Sequence, residues 1–363
     1  MDKKNIVIVI NDLGLGGAER LLMGLLPAIN ERYNVILVTL IDKEVFDKNA
    51  IIACKEKYCL DFTNNFSIPK CIYKLTRIIK KHNPVLVHAH LFYSNIIARI
   101  ACPASIPCLF TVHSLQSYDI FSKSRLWTFL EKSTVRPYHS IMVVSEHLLE
   151  DYELHIKKMQ HSFVLPNCVE DIFFETIFPA KNYNGLDKLK LVAIGNIKPI
   201  KNYGYLIEAF KYLKDYPVTL DIYGTDQGEL SSLQKIIDEN QLPVTFKGRG
   251  YDINELLLNY DIYVMSSKSE GCSVAVIEAM TLGLPLLLST LPGLKAETFG
   301  NALFFDIVDK QTFVARIKEI INKDYDLNML SEKGMQIAKQ HYTKSMYIQK
   351  LFSIYNKLQI TRF

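Results

Sequence analysis

The sequence predicts an α/β protein made of two Rossmann-like domains, each a doubly wound parallel sheet. Three observations predict it. Continuous aliphatic runs such as Ile6-Val7-Ile8-Val9-Ile10 lead into a loop and then a helix; a run without polar alternation suits a parallel strand covered on both faces. The same strand–loop–helix order restarts at Leu189–Ile194, after a polar, turn-rich stretch from Phe178 to Lys188 that carries Pro179, Asn182, Asn184 and Gly185 and reads as a linker. The length, 363 residues, suits about two domains of ~150 residues. We read the domains as 1–178 and 179–345, followed by a terminal helical segment, 346–363.

Composition narrows the function. Hydrophobic residues make up 49% and charged residues 22% of the chain, enough apolar material for packed cores and against disorder. A net charge of +4 lacks the basic stripe of a nucleic-acid binder. The seven cysteines include no CxxC pair and read as small apolar residues in a reducing compartment rather than as disulfides or metal ligands. Met1 to Ile10 has a charged start and only a short apolar run, without a long signal-type core or cleavage site. No apolar run approaches the ~18 residues that span a bilayer. The expectation is a cytoplasmic protein, or one at the inner face of the cytoplasmic membrane.

In the first half, Asn11 to Gly17 follow the first strand as a loop, and a helix begins near Ala18. Gly14, Gly16 and Gly17 allow close backbone approach to a ligand, or simply a tight strand–helix turn; their spacing is not GxGxxG. Val35–Leu40 is the second strand. Ile68 to Lys81 reads as an amphipathic helix, with Ile68, Cys71, Ile72, Leu75, Ile78 and Ile79 on one face. The other face, with Lys70, Lys74, Arg77, Lys80 and Lys81, is either solvated or a patch for anionic lipid or a lipid-diphosphate acceptor. The strands at Pro84–His90 and Cys108–His113 both end on histidine. Strand ends of open α/β sheets face the ligand crevice, although a lone histidine is as readily a satisfied core residue. Tyr118 to Glu131, with Phe121, Leu126, Trp127 and Phe129 beside Lys123 and Arg125, either packs on the domain or dips into lipid headgroups. Ile141–Ser145 is the next strand, and Ser145 is placed to cap a helix from Glu146.

In the second half, Leu189–Ile194 leads through Gly195–Asn202 to a helix over Tyr205–Leu213. Val218–Tyr223 leads to Gly224-Thr225-Asp226-Gln227-Gly228, and Val244 to Arg249 is another strand and turn. A short helix over Asp252–Asn259 precedes the strand Asp261–Met265. Asp324-Tyr325-Asp326 has the look of an acidic metal triplet, but it lies between two helical stretches and reads as a solvated turn. Tyr347 to Tyr355 is amphipathic.

The most informative stretch is Ser269 to Met280. It follows the Asp261–Met265 strand and opens a helix that Gly283 and Pro285 close. Ser273 is a candidate N-cap. Unpaired N–H groups and the positive end of the helix dipole suit a phosphate there. Glu270 and Glu278 flank that place, and acids beside a phosphate cost energy unless they bind something else, such as sugar hydroxyls.

Ser-Glu-Gly…Ile-Glu-Ala-Met…Gly-Leu-Pro, with its E-x7-E spacing, resembles the hallmark of the retaining glycosyltransferases of family 4, which have the two-domain GT-B architecture. Further stretches match: Gly16-Gly17-Ala18-Glu19, Thr111-Val112-His113-Ser114, and Phe163 to Val169, where Cys168 replaces a commoner glycine. The resemblance implies two domains facing across a cleft, with the last helix crossing back to the first. It also implies metal-independent transfer, without a cofactor, of a hexosyl unit from a nucleotide-diphosphate sugar, UDP by expectation. The acceptor would be a hydroxyl of a glycan or of a polyprenyl-diphosphate-linked molecule in bacterial surface-polysaccharide assembly. Contact with an anionic membrane is part of that expectation; nucleic acid is not.

The resemblance also implies roles. Lys201 and the amides of Gly271, Cys272, Ser273 and Val274 would meet the donor diphosphate, Glu270 the donor sugar, and Glu278 the ribose. His113 would position the sugar or the acceptor, Gly16 and Gly17 would lie near the diphosphate, and Gly248 and Arg249 would border base and diphosphate; His88 and His90 are left open as an acceptor border. At Asn196 the chain departs from the family, which has an arginine there; the loss removes one bidentate cation, with Lys198 or Arg249 as candidate substitutes. Two other readings remain: a non-catalytic sugar-nucleotide-binding partner, and another GT-B enzyme such as a sugar-nucleotide epimerase.

Overall fold

The apolar runs form two separate sheets in which every strand pair is parallel. The computed structural model describes residues 3–14, 16–43, 54–117, 124–175, 181–183 and 186–360. The chain divides into two units, 1–167 with 344–363, and 168–343. Phe178, Pro179, Asn184 and Gly185 of the polar stretch lie outside the described residues. The division comes ahead of that stretch, because Val169 donates to the Tyr342 carbonyl at 3.1 Å and Phe173 is buried in a core cluster of the second unit.

The first unit runs β1 (Asn5–Ile10), α1 (Gly17–Arg32), β2 (Asn34–Thr39), β3 (Glu56–Cys59), α2 (Ile68–His82), β4 (Leu86–His90), α3 (Phe92–Ala101), β5 (Cys108–Val112), α4 (Arg125–Thr134), β6 (His139–Val143), α5 (Glu146–His155) and β7 (Ser162–Val164). The strand order is β3-β2-β1-β4-β5-β6-β7, so the winding direction reverses between β1 and β4. Ile6 to Ile10 are fully buried, as a central strand requires. The edge strands β3 and β7 span only four and three residues, and the sequence pattern placed neither. Ser145 caps α5 by accepting from the Leu148 amide at 3.3 Å. α2 buries Cys71, Leu75, Ile78 and Ile79, so its amphipathic pattern is used as the spacing predicts.

Two buried polar contacts tie this unit together. Arg99 of α3 meets Glu131 of α4 in a bidentate pair at 2.7 and 2.6 Å, with Tyr152 donating to the same carboxylate at 3.0 Å. Removing one partner of such a buried pair costs about 3–5 kcal/mol. The final helix (Lys344–Ile360) belongs to this unit, and its Tyr355 hydroxyl lies 2.7 Å from His88 Nδ1.

The second unit runs α6 (Ile172–Glu175), β8 (Leu189–Ile194), α7 (Tyr203–Phe210), β9 (Val218–Tyr223), α8 (Leu230–Asn240), β10 (Val244–Gly248), α9 (Ile253–Leu257), β11 (Ile262–Met265), α10 (Val274–Thr281), β12 (Leu286–Ser289), α11 (Pro292–Glu297), β13 (Leu303–Phe305), α12 (Lys310–Ile321) and α13 (Leu327–His341); the final helix completes the series as α14. Its strand order, β10-β9-β8-β11-β12-β13, reverses between β8 and β11. Gly283, at φ 72°, ends α10, and the Leu284 amide reaches back to the Ala279 carbonyl at 3.0 Å. Asp326 of the acidic triplet caps α13, accepting from the Met329 amide at 2.9 Å. Tyr325 is partly buried between Arg316 and Glu319, so the segment is more structured than a solvated turn.

Candidate functional site

In the second unit the loops after β8 and β11 leave the sheet on either side of its switch point, where open α/β sheets bind ligands. The first loop closes with a short 3-10 turn, Pro199–Lys201, and Asn202 at φ 57°. It is sewn to the second loop by backbone and side chain. Ser266 donates to the Lys201 and Asn202 carbonyls at 2.9 and 3.2 Å, and the Lys268 amide donates to the Ile200 carbonyl at 2.8 Å. The Tyr203 and Tyr263 hydroxyls brace the end of β8 by donating to the Gly195 and Ile194 carbonyls. The result is one ion pair: Lys201 Nζ lies 2.7 Å from Glu270 Oε1, with both side chains mostly buried.

Two glycines allow this approach. A Cβ at Gly195 would lie 3.0 Å from Lys201 Cε, and one at Gly224 would lie 2.0 Å from the Gly195 carbonyl oxygen. The backbone contact at Gly224 requires glycine, whereas the contact at Gly195 is with the flexible Lys201 side chain.

The helix start beside the pair holds a surprise. Ser273 occupies the N-cap position of α10, but its hydroxyl makes no capping bond among the described residues. This corrects the sequence expectation. The Ser273 amide instead donates to Glu297 Oε2 at 3.1 Å, from the last turn of α11. Cys272 Sγ lies 3.7 Å from Glu297 Oε1. Glu297 is buried, and that burial, against the pull of the Ser273 amide and aided by the Glu270 charge, pushes its carboxyl up to about 8. A carboxyl group of the chain itself thus accepts from one of the amides proposed for phosphate. Gly293 lets α11 pack this closely, since a Cβ there would meet the Glu270 carbonyl at 3.2 Å.

The other expected donor residues spread around this centre. Gly271, Cys272 and Val274 are half-buried in the same loop and first turn, and Glu278 is buried inside α10. The charges of Glu270 and Glu278 both raise the Tyr263 phenol, after burial. Asn196 lies in the first loop, where its Cα would be 3.2 Å from a Cβ on Gly224. Gly248 ends β10 at φ 72°, and Arg249 is exposed with its guanidinium 5.0 Å from the Tyr251 ring.

The first unit carries its own cluster at strand ends. His113 follows β5, and its Nε2 is 3.4 Å from Nδ1 of His90, the last residue of β4. Burial lowers His113 to about 4 and His88 to about 3, and His90 is lowered as well. Gly16 precedes α1 and Gly17 opens it; a Cβ at Gly16 would meet Glu19, whereas Gly17 has open space. Neither has a positive φ, so a tight turn and not backbone strain accounts for Gly16.

Comparison with known proteins identifies what these two sheets belong to. A profile described as "Glycosyltransferase Family 4" matches residues 15–171, and one described as "Glycosyl transferases group 1" matches residues 175–337. The chain belongs to the group 1, family 4 type of glycosyltransferase. A relative from Escherichia coli, UDP-Gal:alpha-D-GlcNAc-diphosphoundecaprenol alpha-1,3-galactosyltransferase, is 27% identical, over 90% of this chain and 95% of the relative. Two solved structures share the fold. Anabaena HepE in complex with UDP and glucose has a TM-score of 0.82 at 16% identity, covering 98% of this chain and 100% of its own. Sucrose-phosphate synthase from Thermosynechococcus elongatus has a TM-score of 0.80 at 17% identity, covering 98% and 99%. The two parallel-sheet units are the GT-B architecture.

In this glycosyltransferase the sequence did not single out Glu297, Tyr203 or Tyr263. Glu297 lies in a short helix without periodicity, and only the fold brings it to the Ser273 amide. Its titration has a readable consequence. A carboxyl whose pKa is raised on folding stabilises fully below its unfolded value, near 4.5, and that contribution is lost as pH rises through about 8. Glu297→Gln should therefore gain on wild type in melting temperature, on the order of 5 °C, between pH 5 and pH 8. Parallel melting curves over that range contradict the assignment.

Proposed function

We propose that this glycosyltransferase moves a hexosyl unit from a UDP-sugar to a hydroxyl of a glycan or lipid-linked acceptor, with retained anomeric configuration. The observation that carries the proposal is the Lys201–Glu270 pair, set at the switch point beside the start of α10. Negative charge builds on the diphosphate as it departs, and preorganised donors stabilise such charge without reorganisation. Lys201 and the amides of Gly271, Cys272, Ser273 and Val274 take that role. Glu270, already oriented by Lys201, accepts from sugar hydroxyls, and Glu278 accepts from the ribose. His113 hydrogen-bonds the transferring sugar. No metal or cofactor enters this scheme, because lysine and helix amides supply the positive field. The leaving phosphate takes the acceptor proton on the same face, so no side chain acts as nucleophile.

Lys201→Ala and Glu270→Ala should each lower kcat by roughly 10²–10³ while the far-ultraviolet spectrum stays unchanged. Turnover near wild type in either contradicts the roles. Asn196 in place of the family's arginine keeps a non-catalytic sugar-nucleotide-binding partner as the second reading, and donor binding without transfer to any acceptor supports it. The printed substrate of the Escherichia coli relative, a diphosphoundecaprenol-linked sugar, supports a lipid-linked acceptor and a role in surface-polysaccharide assembly.

A lipid-linked acceptor places the enzyme at the inner face of the cytoplasmic membrane. No helix among the described residues is long and apolar enough to cross a membrane, so contact falls to surface groups. Phe66, Tyr73, Leu126 and Phe129 are exposed, as are Lys70, Arg77 and Lys80 of α2. Lys74 and Lys81 are paired with Asp61 and Glu56, so fewer cations than the sequence promised face outward. The segment 118–123, with Phe121 and Lys123, lies outside the described residues. Co-sedimentation with vesicles containing phosphatidylglycerol, and not with neutral vesicles, is the expected result; equal binding to both contradicts it.

A further inference from the structure

We propose that His90 is a positioning residue which fixes His113 as the Nδ1–H tautomer, making His113 a hydrogen-bond donor rather than a base toward the bound sugar. The inference rests on the sugar-contacting role proposed for His113 and adds the direction of its hydrogen bond.

Three histidines crowd the ends of β4 and β5. His88 has both ring nitrogens engaged, Nδ1 with Tyr355 and Nε2 with the Thr111 hydroxyl, each at 2.7 Å. Hydroxyls donate or accept, so His88 imposes no proton order on its neighbours. Its ring packs against His90 with centroids 4.1 Å apart. His90 differs. Its Nδ1 faces His113 Nε2 at 3.4 Å, and its Nε2 is buried with no hydrogen-bond partner among the described residues. The rings of His90 and His113 are inclined by only 27° with centroids 5.7 Å apart, which suits a contact between ring nitrogens edge to edge. Burial keeps all three rings neutral at physiological pH, so each carries one ring proton.

The single proton of His90 has two places to go. On Nε2 it would be a buried N–H without an acceptor, which native structures almost never tolerate. On Nδ1 it is donated to His113 Nε2, and the bare Nε2 of His90 is an unused lone pair, the cheaper defect. His113 Nε2 then accepts, and its own proton must sit on Nδ1, the nitrogen that points away from His90. The backbone beside this contact is strained: Leu91, directly after His90, has φ 72° and ψ 160°, a region that costs a non-glycine residue of order 1–3 kcal/mol. Thr111 and Asn95 fix the other side, since Asn95 donates to the Thr111 carbonyl at 2.9 Å.

Long-range proton–nitrogen spectra of the full chain labelled with ¹⁵N-histidine test the proposal at pH 8, with His113 assigned by its loss in His113→Gln. The expected result is the Nδ1–H tautomer at His113 in wild type. His90→Asn, whose amide overlays the Nδ1 position, should keep that tautomer and most of kcat. His90→Gln, whose amide overlays Nε2, should release His113 to the Nε2–H form that free histidine prefers and lower kcat about 10–100-fold with KM little changed. An Nε2–H signal at His113 in wild type, or an unchanged tautomer in a folded His90→Gln, overturns the proposal. Should His90→Gln fail to fold, the wild-type and His90→Asn spectra still decide. The spectra need no substrate, so absence of transfer to any acceptor would count against the proposed function and leave the tautomer result standing.

Discussion

The ion pair between Lys201 and Glu270 is the contact on which the second unit is organised. It joins the loops that leave β8 and β11, and these flank the place where the strand order turns round. Nothing local holds a lysine there. Ser266 anchors its carbonyl, Gly195 clears space for its methylenes, and Gly224 clears space for Gly195. A mostly buried lysine needs a counter-charge, and Glu270 supplies it. The same carboxylate is thereby held in one orientation before any sugar arrives.

A second carboxylate completes the electrostatics. Glu297 occupies the Ser273 amide while feeling both Glu270 and Lys201. One lysine, two carboxylates and a helix start therefore share a small volume of low dielectric, where each charge alters the others. On the proposed reading, an arriving diphosphate would meet a site already balanced by the chain's own acids. It would share Lys201 with Glu270, beside a Glu297 that burial already keeps protonated below about pH 8. Asn196, in the loop after β8, is neutral and adds no charge to that balance.

Much of the fold was legible because buried parallel strands announce themselves. Ile6 to Ile10, Leu189 to Ile194 and Ile262 to Met265 lack polar alternation, and each is a central strand. β3 at Glu56–Cys59 was not legible, since an edge strand needs no apolar run. The E-x7-E stretch revealed the family because spacing within one loop and helix survives in sequence. Glu297 and the His90–His113 contact were not readable, because each joins residues that only the sheet order brings together. The Ser273 hydroxyl was misread: the residue stands at the N-cap position but its side chain makes no capping bond among the described residues.

The central claim is that Lys201 grips the β-phosphate of a bound nucleotide. Calorimetric titration of UDP and of UMP into wild type and Lys201→Met tests it most directly, because the ligand pair differs by the group in question. Wild type should prefer UDP, and the variant should lose about 10–100-fold of that preference while its affinity for UMP stays nearly unchanged. A UDP preference that survives the substitution intact would contradict the account.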